Sequence, residues 1–249
     1  MVVDNNIFAV IEPTILPEKI EIDSAGEEKG NPKQTKAQSV IEPYISINGY
    51  RFGREEISLV NLYLDGKLPE IRVVLIDGRR IFDTEFYPRD GDALTFLLNS
   101  KNSDTFKSIH MDFDIVEIEQ QNDGTGDKIT LIIDGVAKIP NYTADDCKYY
   151  EDGPSIDHLE AVAKELKLGL ATNITSTDDV QSRIQPWISY KEFIQNTVAD
   201  SYVSEDSFTD WYIDQYYFLN FIDVNRIFDS ENPKLEDLQK NLTSWAASL

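Results

Sequence analysis

The feature that most strongly constrains the fold of this chain lies between residues 40 and 139. Turn signals recur there at short intervals, and segments of alternating apolar residues lie between them. The clearest is Asn48-Gly49, because a two-residue hairpin needs positive φ at both central positions, and Asn and Gly adopt it at low cost. The alternating segments are Tyr44–Ile47, Tyr50–Phe52, Ser58–Leu64, Ile71–Ile76, Arg80–Tyr87, Ala93–Leu98, Phe106–Glu119 and Lys128–Ile139. The pattern predicts about seven antiparallel strands in a sandwich or barrel.

Beyond Ile139 the apolar spacing becomes helical. Apolar residues from Ile156 to Leu166 predict a helix that begins at Pro154 or Ser155. Gly169 fits the C′ position that ends such a helix. A polar, tyrosine-containing segment over residues 141–152 precedes this helix and predicts a domain boundary.

Three further elements are predicted in the C-terminal part. Ser189 and Glu192 form a capping box, in which each side chain accepts the other residue's backbone N–H, at the start of a second helix. Residues 208–224 are the most aromatic segment and predict either two strands around Asp214-Gln215 or one long strand covered on both faces. A last helix is predicted over residues 235–242.

These elements predict an α+β fold, in which an N-terminal antiparallel β-barrel precedes a smaller α+β domain. The predicted units are an arm over residues 1–38, the barrel over 39–142 and the α+β domain over 143–249. Within the arm, an apolar segment interrupted by Pro13 precedes a polar segment from residue 17, which has the composition of a loop or linker.

The strong acidity of the chain argues against several partners. The 249 residues include 45 Asp and Glu against 23 Lys and Arg, a formal net charge of −22. Nucleic-acid affinity depends on basic residues, so we expect no specific nucleic-acid contact. Uncharged segments are too short to span a bilayer and no signal peptide is recognisable, so we expect neither membrane insertion nor secretion. Basic partner surfaces fit the charge better.

Residues that carry catalysis are sparse. Cys147 is the single cysteine, which excludes an internal disulfide and a cysteine metal cluster. The two histidines, His110 and His158, lie in a predicted strand and helix, and nothing near Cys147 indicates a thiol nucleophile. Paired carboxylates such as Asp112 and Asp114 arise by chance in so acidic a chain. We therefore expect no enzyme, no metal site and no cofactor.

The aromatic stripe allows three interpretations. It is defined here as Trp211, Tyr212, Tyr216, Tyr217, Phe218 and Phe221. Such a stripe serves as core, as a subunit interface or as a carbohydrate platform. Exposure discriminates between them, because a platform leaves two or three aromatic rings coplanar in solvent, whereas core and assembly aromatics are covered.

The order of motifs from residue 156 to residue 225 resembles that of the baseplate hub proteins of contractile-tailed bacteriophages. The run IDHLEAVAKELKLGL ends in Leu-Gly and is followed by Ala171-Thr172-Asn173 and by Asp178-Asp179. Trp187-Ile188, the Phe-Ile helix and the aromatic segments DWYID and YYFLNFIDVN come next. The preceding β-rich region resembles the tail-tube-like barrel of that family.

The resemblance implies a structural virion protein without catalytic activity. Hubs of this family form homotrimers at the centre of the tail baseplate, in which two tube-like barrels per chain mimic the six-fold tail tube above. Below, they hold the spike, which often carries a tail lysozyme on a separate chain. The implied partners are therefore the tail tube and spike proteins of the same phage. Assembly in the reducing host cytoplasm agrees with the single cysteine.

This chain departs from the family in one respect, because one barrel is predicted here instead of two. We therefore expect either a portion of a hub, the product of a split gene, or a partial match. Two other functions stay open. One is an acidic carbohydrate-binding or carbohydrate-active protein that uses the aromatic stripe; the other is the related spike of a type VI secretion system, which would need a further β-helical segment.

A tube-like barrel assembles by pairing strand edges between subunits, and such an interface needs no catalytic residues. The candidate assembly residues mark one hairpin edge and part of the aromatic stripe. They are Tyr44, Asn48, Gly49, Tyr50, Trp211, Tyr212, Tyr216 and Tyr217.

Overall fold

The structure, a computed structural model, describes residues 7–18, 41–77, 87–100, 107–122 and 129–228. These ranges form a curled seven-stranded sheet, a four-stranded sheet, a two-stranded ribbon and three helices. The predicted α+β fold class, with an antiparallel barrel-like sheet before a smaller α+β region, is confirmed. None of the helices within the described ranges has the length and apolar character that a membrane crossing requires.

Seven antiparallel strands form the curled sheet, which we call the half-barrel. They are β2 (Ile41–Ile47), β3 (Tyr50–Arg51), β4 (Ile57–Tyr63), β5 (Glu70–Asp77), β6 (Ala93–Ser100), β7 (Ile109–Asn122) and β8 (Ile129–Ala137). Their order in the sheet is β3-β2-β6-β7-β8-β5-β4. Among the described residues the terminal strand β4 pairs only with β5, so the half-barrel has an open edge at β4.

Strict alternation places one face of the half-barrel in the core. Along β5 and β8 the residues Ile71, Val73, Leu75, Leu131 and Ile133 are fully or almost fully buried, while their neighbours in sequence are more exposed. Because successive side chains of a strand point to opposite faces, this period of two separates a buried apolar face from a more exposed face of mixed polarity.

The predicted hairpin at Asn48-Gly49 is confirmed. Asn48 and Gly49 adopt φ values of 48° and 81°, and the two-residue turn joins β2 to β3. The Asn48 side chain also accepts the backbone N–H of Ala93 at 3.3 Å, which ties the turn to the start of β6.

The C-terminal region combines strands with short helices. Its elements are β9 (Asp145–Gly153), α1 (Ser155–Glu165), β10 (Gly169–Thr172), β11 (Gln181–Ser189), α2 (Tyr190–Ala199), β12 (Thr209–Ile213), β13 (Phe218–Asp223) and α3 (Val224–Phe228). β9 and β11 form the two-stranded ribbon. The N-terminal strand β1 (Phe8–Ile11) joins the other sheet, whose order is β1-β10-β13-β12.

The predicted end of the first helix at Gly169 is wrong. Helix α1 ends before Lys167, which takes the left-handed conformation with φ of 60°. Gly169 instead lies in β10, where a Cβ atom would stand 2.5 Å from the Phe218 ring and 2.9 Å from the carbonyl of Ile11. The close approach of β10 to its neighbours therefore explains this glycine.

The start of α2 and the aromatic hairpin follow the predictions. The Ser189 side chain accepts the backbone N–H of Glu192 at 3.2 Å, which is the predicted N-cap bond. Strands β12 and β13 pair antiparallel on either side of Asp214-Gln215, as the two-strand alternative predicts.

Other predicted segments had a different outcome. The polar segment over residues 141–152 mostly forms strand β9, and β10 and β11 were not predicted. The helix over 235–242, most of the strand over 80–87 and most of the polar segment of the arm lie outside the described residues.

One continuous hydrophobic core extends from the half-barrel into the C-terminal region. Buried residues from both, such as Phe113 and Phe221, belong to the same cluster. Backbone hydrogen bonds cross between the two regions, from the N–H of Ile213 to the carbonyl of Lys67 and from the N–H of Lys191 to that of Tyr142. The predicted domain limits at 38/39 and 142/143 stay predictions.

Candidate assembly surfaces

The carboxylates and histidines that were considered as catalytic candidates form hydrogen bonds and ion pairs within the fold. Asp112 accepts the hydroxyl of Thr95 at 2.7 Å and the N–H of Glu18 at 2.9 Å, and Asp114 forms an ion pair with Lys138. His110 and His158 each hydrogen-bond a backbone carbonyl through Nε2. Within the described ranges, no three His, Cys, Asp or Glu side chains lie together in a way that could hold a metal ion.

The first predicted surface lies at the β3 edge of the half-barrel. Tyr44 is buried beneath Arg51, whose guanidinium carbon stands 4.8 Å from the centre of the tyrosine ring. The ring of Tyr50 packs edge-on against Phe52 at 5.1 Å. Together with the turn at Asn48 and Gly49, these contacts give the edge a fixed shape.

The opposite edge of the half-barrel is strand β4, which was not among the predicted assembly residues. β4 presents the exposed apolar side chains of Leu59 and Tyr63, and Leu64 directly after it is also exposed. Leu59 is 45% exposed although it lies within a strand. An unpaired strand edge with exposed apolar residues is a ready template for pairing with another chain.

The aromatic stripe divides into an inner and an outer part. Trp211 and Tyr217 are each only 4% exposed, and both belong to the continuous core. The hydroxyl of Tyr217 accepts the backbone N–H of Asp112 at 2.8 Å, and burial raises the pKa of that phenol. Lys67 donates to the carbonyl of Trp211 at 2.8 Å and pairs with Asp210. These two aromatics therefore join the C-terminal hairpin to the half-barrel.

Tyr212 and Tyr216 are half-buried and form the outer part of the stripe. Burial raises the pKa of Tyr212. Tyr216 donates to the carbonyl of Lys107 at 3.3 Å, and the ammonium of Lys107 lies 4.0 Å from the centre of its ring. Two of the four tyrosine and tryptophan residues of the stripe are thus buried and the other two are half-buried. The stripe therefore does not present the coplanar exposed rings of a carbohydrate platform. An assembly role for the eight predicted residues stays a prediction.

A third surface, the outer face of the β9–β11 ribbon, was missed by the sequence reasoning. Tyr149 and Ile184 are direct cross-strand partners, and each is 64% exposed. Trp187 is 74% exposed and lies in the bulge of β11 between Pro186 and Ile188. Ile184, Trp187 and Ile188 are residue types that favour strands, but Pro186 between them argues against a strand in the sequence.

The inner face of the ribbon is fixed by charged and polar contacts. Lys148 of β9 binds Glu165 at 2.7 Å, Asp146 at 3.0 Å and the hydroxyl of Tyr190 at 2.5 Å. These hydrogen bonds lower the pKa of Asp146. The network joins β9 to both α1 and α2, so the ribbon is held at a defined place on the two helices.

Comparison with solved structures finds tail proteins that this chain resembles to different degrees. The 43 kDa tail protein of prophage MuSo2 from Shewanella oneidensis has a TM-score of 0.50 and 12% sequence identity, over 73% of this chain and 54% of that protein. A tail protein from Neisseria meningitidis MC58 has a TM-score of 0.41 and 10% identity, over 73% of this chain and 50% of that protein.

This chain has the fold of a phage tail protein. It spans about half the length of the two tail proteins compared above. No protein-family model and no curated protein matches the sequence. At 12% identity the likeness to the Shewanella protein concerns the fold alone.

Proposed function

We propose that this chain is a structural protein of a phage tail, and specifically a subunit of the central baseplate hub that links the tail tube to the spike. The observation that carries the proposal is the open half-barrel. Among the described residues β4 pairs only with β5, so the sheet can continue into a neighbouring subunit along the β4 edge, and repetition around an axis closes a ring. The tail-protein fold supports the same reading.

The proposed assembly is a homotrimer in the virion tail baseplate, formed in the host cytoplasm with the tail tube and the spike, including its tail lysozyme, as partners. In this assembly the chain itself is not an enzyme. The exposed apolar residues of β4 and the β3 edge would be covered by neighbouring subunits, and the predicted residues Tyr44, Asn48, Gly49 and Tyr50 would lie beside one of these contacts.

Light scattering across a concentration series tests the homotrimer. We expect a stable species near three times the chain mass of 28.4 kDa. Leu59→Lys places a charge on the β4 edge and is expected to shift this species to monomer at the same concentration. Val116→Lys is the matched control, because Val116 is also exposed but lies in the bulge of β7, within the sheet.

A monomer for the unmodified chain at the highest concentration would contradict self-assembly through the half-barrel edges. Equal loss of the trimer in both lysine variants would contradict the assignment of the contact to β4. The carbohydrate-binding alternative would gain support only if the monomer bound glycans and lost this binding on substitution of Tyr212 or Tyr216.

A further inference from the structure

A groove of about 450 Å³ runs between strand β11 and helix α2. Four consecutive residues of β11, from Gln181 to Ile184, line one wall, and Phe193, Asn196 and Thr197 of α2 line the other. Because consecutive residues of a strand point to opposite faces, a groove that touches all four follows the edge of the strand. Within the described residues β11 pairs only with β9, so this edge carries no strand.

Two buried polar groups in the lining of the groove lack a hydrogen-bond partner. They are the Nε of Arg183 and the hydroxyl of Thr197. The rest of the Arg183 guanidinium is fixed, since it donates to Asp200 at 3.1 Å and to Ser155 at 3.0 Å. Arg183 is 91% buried and Thr197 is fully buried, so these two groups lie beneath the surface of the groove, and a docked strand would pair with the backbone edge of β11 instead of with them.

Trp187 stands beside this groove in a strained conformation. Its φ of 54° lies in the left-handed region, which a bulky side chain rarely adopts. The residues before and after it, Pro186 and Ile188, both line the groove. Backbone strain is concentrated at functional positions, and exposed tryptophans are enriched among the residues that dominate binding energy at interfaces.

Charge indicates the kind of strand that would fit. The carboxylate of Asp200 lies at the groove and is 65% exposed, and the chain as a whole carries a net charge of −22. A strand that carries Asp or Glu would be repelled by this charge. A strand that carries lysine or arginine would be attracted.

We propose that the groove between β11 and α2 docks an extended strand of a different protein, in which apolar residues alternate with lysine or arginine. The strand adds to the free edge of β11 through backbone hydrogen bonds, as in other cases of strand addition. Its apolar side chains contact Trp187 and Ile184, and its basic side chains face Asp200. The proposal does not depend on the hub function, because it concerns an edge that is separate from β3 and β4.

A yeast-displayed library of random peptides of about ten residues, the upper length of most strands, provides the probe. The full chain, labelled at its N-terminus, is used for selection. We expect enriched peptides to alternate apolar with basic residues. Trp187→Ala should weaken their binding by roughly 30-fold, the effect of losing a dominant interface residue. Phe208→Ala, which removes another exposed aromatic side chain away from the groove, should leave binding unchanged.

Two further measurements address the mechanism of docking. Synthetic versions of the enriched peptides, methylated on alternate backbone nitrogens, should lose binding if the peptide pairs with β11 as a strand. Asp200→Asn keeps the shape of the side chain but removes the charge that the basic side chains of the peptide are proposed to face, and it should weaken binding several-fold.

The proposal is overturned if no peptide is enriched, if enriched peptides bind the Trp187→Ala variant equally well, or if backbone methylation has no effect. Enrichment of acidic peptides would overturn the assignment of a basic partner. Concentration-dependent self-association that is lost in Trp187→Ala but kept in Leu59→Lys would show that a second copy occupies the groove, which also overturns it.

Discussion

The half-barrel and the C-terminal region are built on different principles, although they share one core. The half-barrel is a regular sheet in which neighbours in sequence are mostly neighbours in space, as in β4 with β5 and β7 with β8. The C-terminal region pairs distant segments, as in β1 with β10 and β10 with β13. Regular alternation buries one face of the half-barrel and leaves the β4 edge unpaired among the described residues, whereas the C-terminal region depends on particular buried polar contacts.

Those polar contacts are concentrated around the start of α1 and the end of β13. Asp179 accepts the backbone N–H of Ser155 at 3.0 Å and also its hydroxyl, and these bonds help to lower the pKa of the carboxyl against the effect of burial. The Asn173 side chain bonds the backbone of Asp223 in both directions, at 2.8 and 3.0 Å. Such pairs fix loops that carry little apolar surface.

The largest expected effect tests whether the two regions unfold together. Phe113→Ala in the half-barrel and Phe221→Ala in the C-terminal region each remove a fully buried ring, and each should cost about 3–5 kcal/mol in the free energy of unfolding. Because the core is continuous, both variants should unfold in one transition at lower denaturant. Tryptophan fluorescence and far-UV circular dichroism provide two independent probes.

Non-coincident transitions would contradict this expectation. If Phe113→Ala left the fluorescence transition in place while shifting the dichroism transition, the half-barrel would be an independent unit. The predicted domain limit at 142/143 would then be supported, because all three tryptophans follow that limit in the sequence.

The next effect concerns the hairpin turn at the β3 edge. Replacing Asn48 and Gly49 by Val-Val should cost roughly 2–4 kcal/mol, because each β-branched residue would be forced into the left-handed region. Gly66→Ala is the control, since Gly66 does not have positive φ and an added Cβ meets only ordinary contacts. Thermal unfolding of both variants checks the difference; equal melting temperatures would contradict the role assigned to the turn.

A smaller effect tests the contact between the two regions. Tyr217→Phe removes the acceptor for the N–H of Asp112 and should cost about 1–2 kcal/mol, because the N–H loses its partner. Tyr216→Phe is the control, as Tyr216 makes a longer and more exposed hydrogen bond. Chemical denaturation of the two variants measures the difference, and a larger loss in Tyr216→Phe would reverse the assignment.

The pH dependence of stability provides a separate test of Tyr217. Burial raises its pKa in the folded state, so the unfolded chain ionises first and stability falls as the pH rises above about 10, the ordinary pKa of tyrosine. Tyr217→Phe should lose less stability than the unmodified chain when denaturation at pH 11 is compared with pH 8. A steeper alkaline loss in the variant would contradict the burial of this phenol.

The same contrast explains what could be predicted from the sequence. In the half-barrel, the turn at Asn48-Gly49 and the alternation along β5 are local signals, and the structure follows both. At Gly169 the local signal was misleading. The conformational freedom of glycine suited a helix end, but the structure places Gly169 in a strand, where the close approach of the Phe218 ring leaves no room for a side chain. That contact joins residues 49 positions apart, and no local pattern contains it.

The candidate surfaces likewise depend on contacts between distant residues, which local sequence patterns do not predict. The aromatic stripe was found from composition, but burial of Trp211 and exposure of Trp187 depend on which faces the helices and the half-barrel cover. A tryptophan in a sequence indicates a large apolar contact without saying whether that contact is internal. The two tryptophans differ in backbone conformation as well, because only Trp187 has positive φ.

The smallest expected effect concerns Trp187, and here one substitution should increase the stability of the protein instead of lowering it. Trp187→Asn should raise the free energy of unfolding by roughly 0.5–1 kcal/mol, because Asn tolerates the left-handed region better and the indole contributes little packing while exposed. Trp187→Val should lower it, since a β-branched residue resists positive φ. Denaturant unfolding compares both variants with the unmodified chain. Greater stability in Trp187→Asn, together with weaker peptide docking, would mean that the ribbon keeps a strained tryptophan for binding; lower stability in both variants would mean that the indole supports the fold instead.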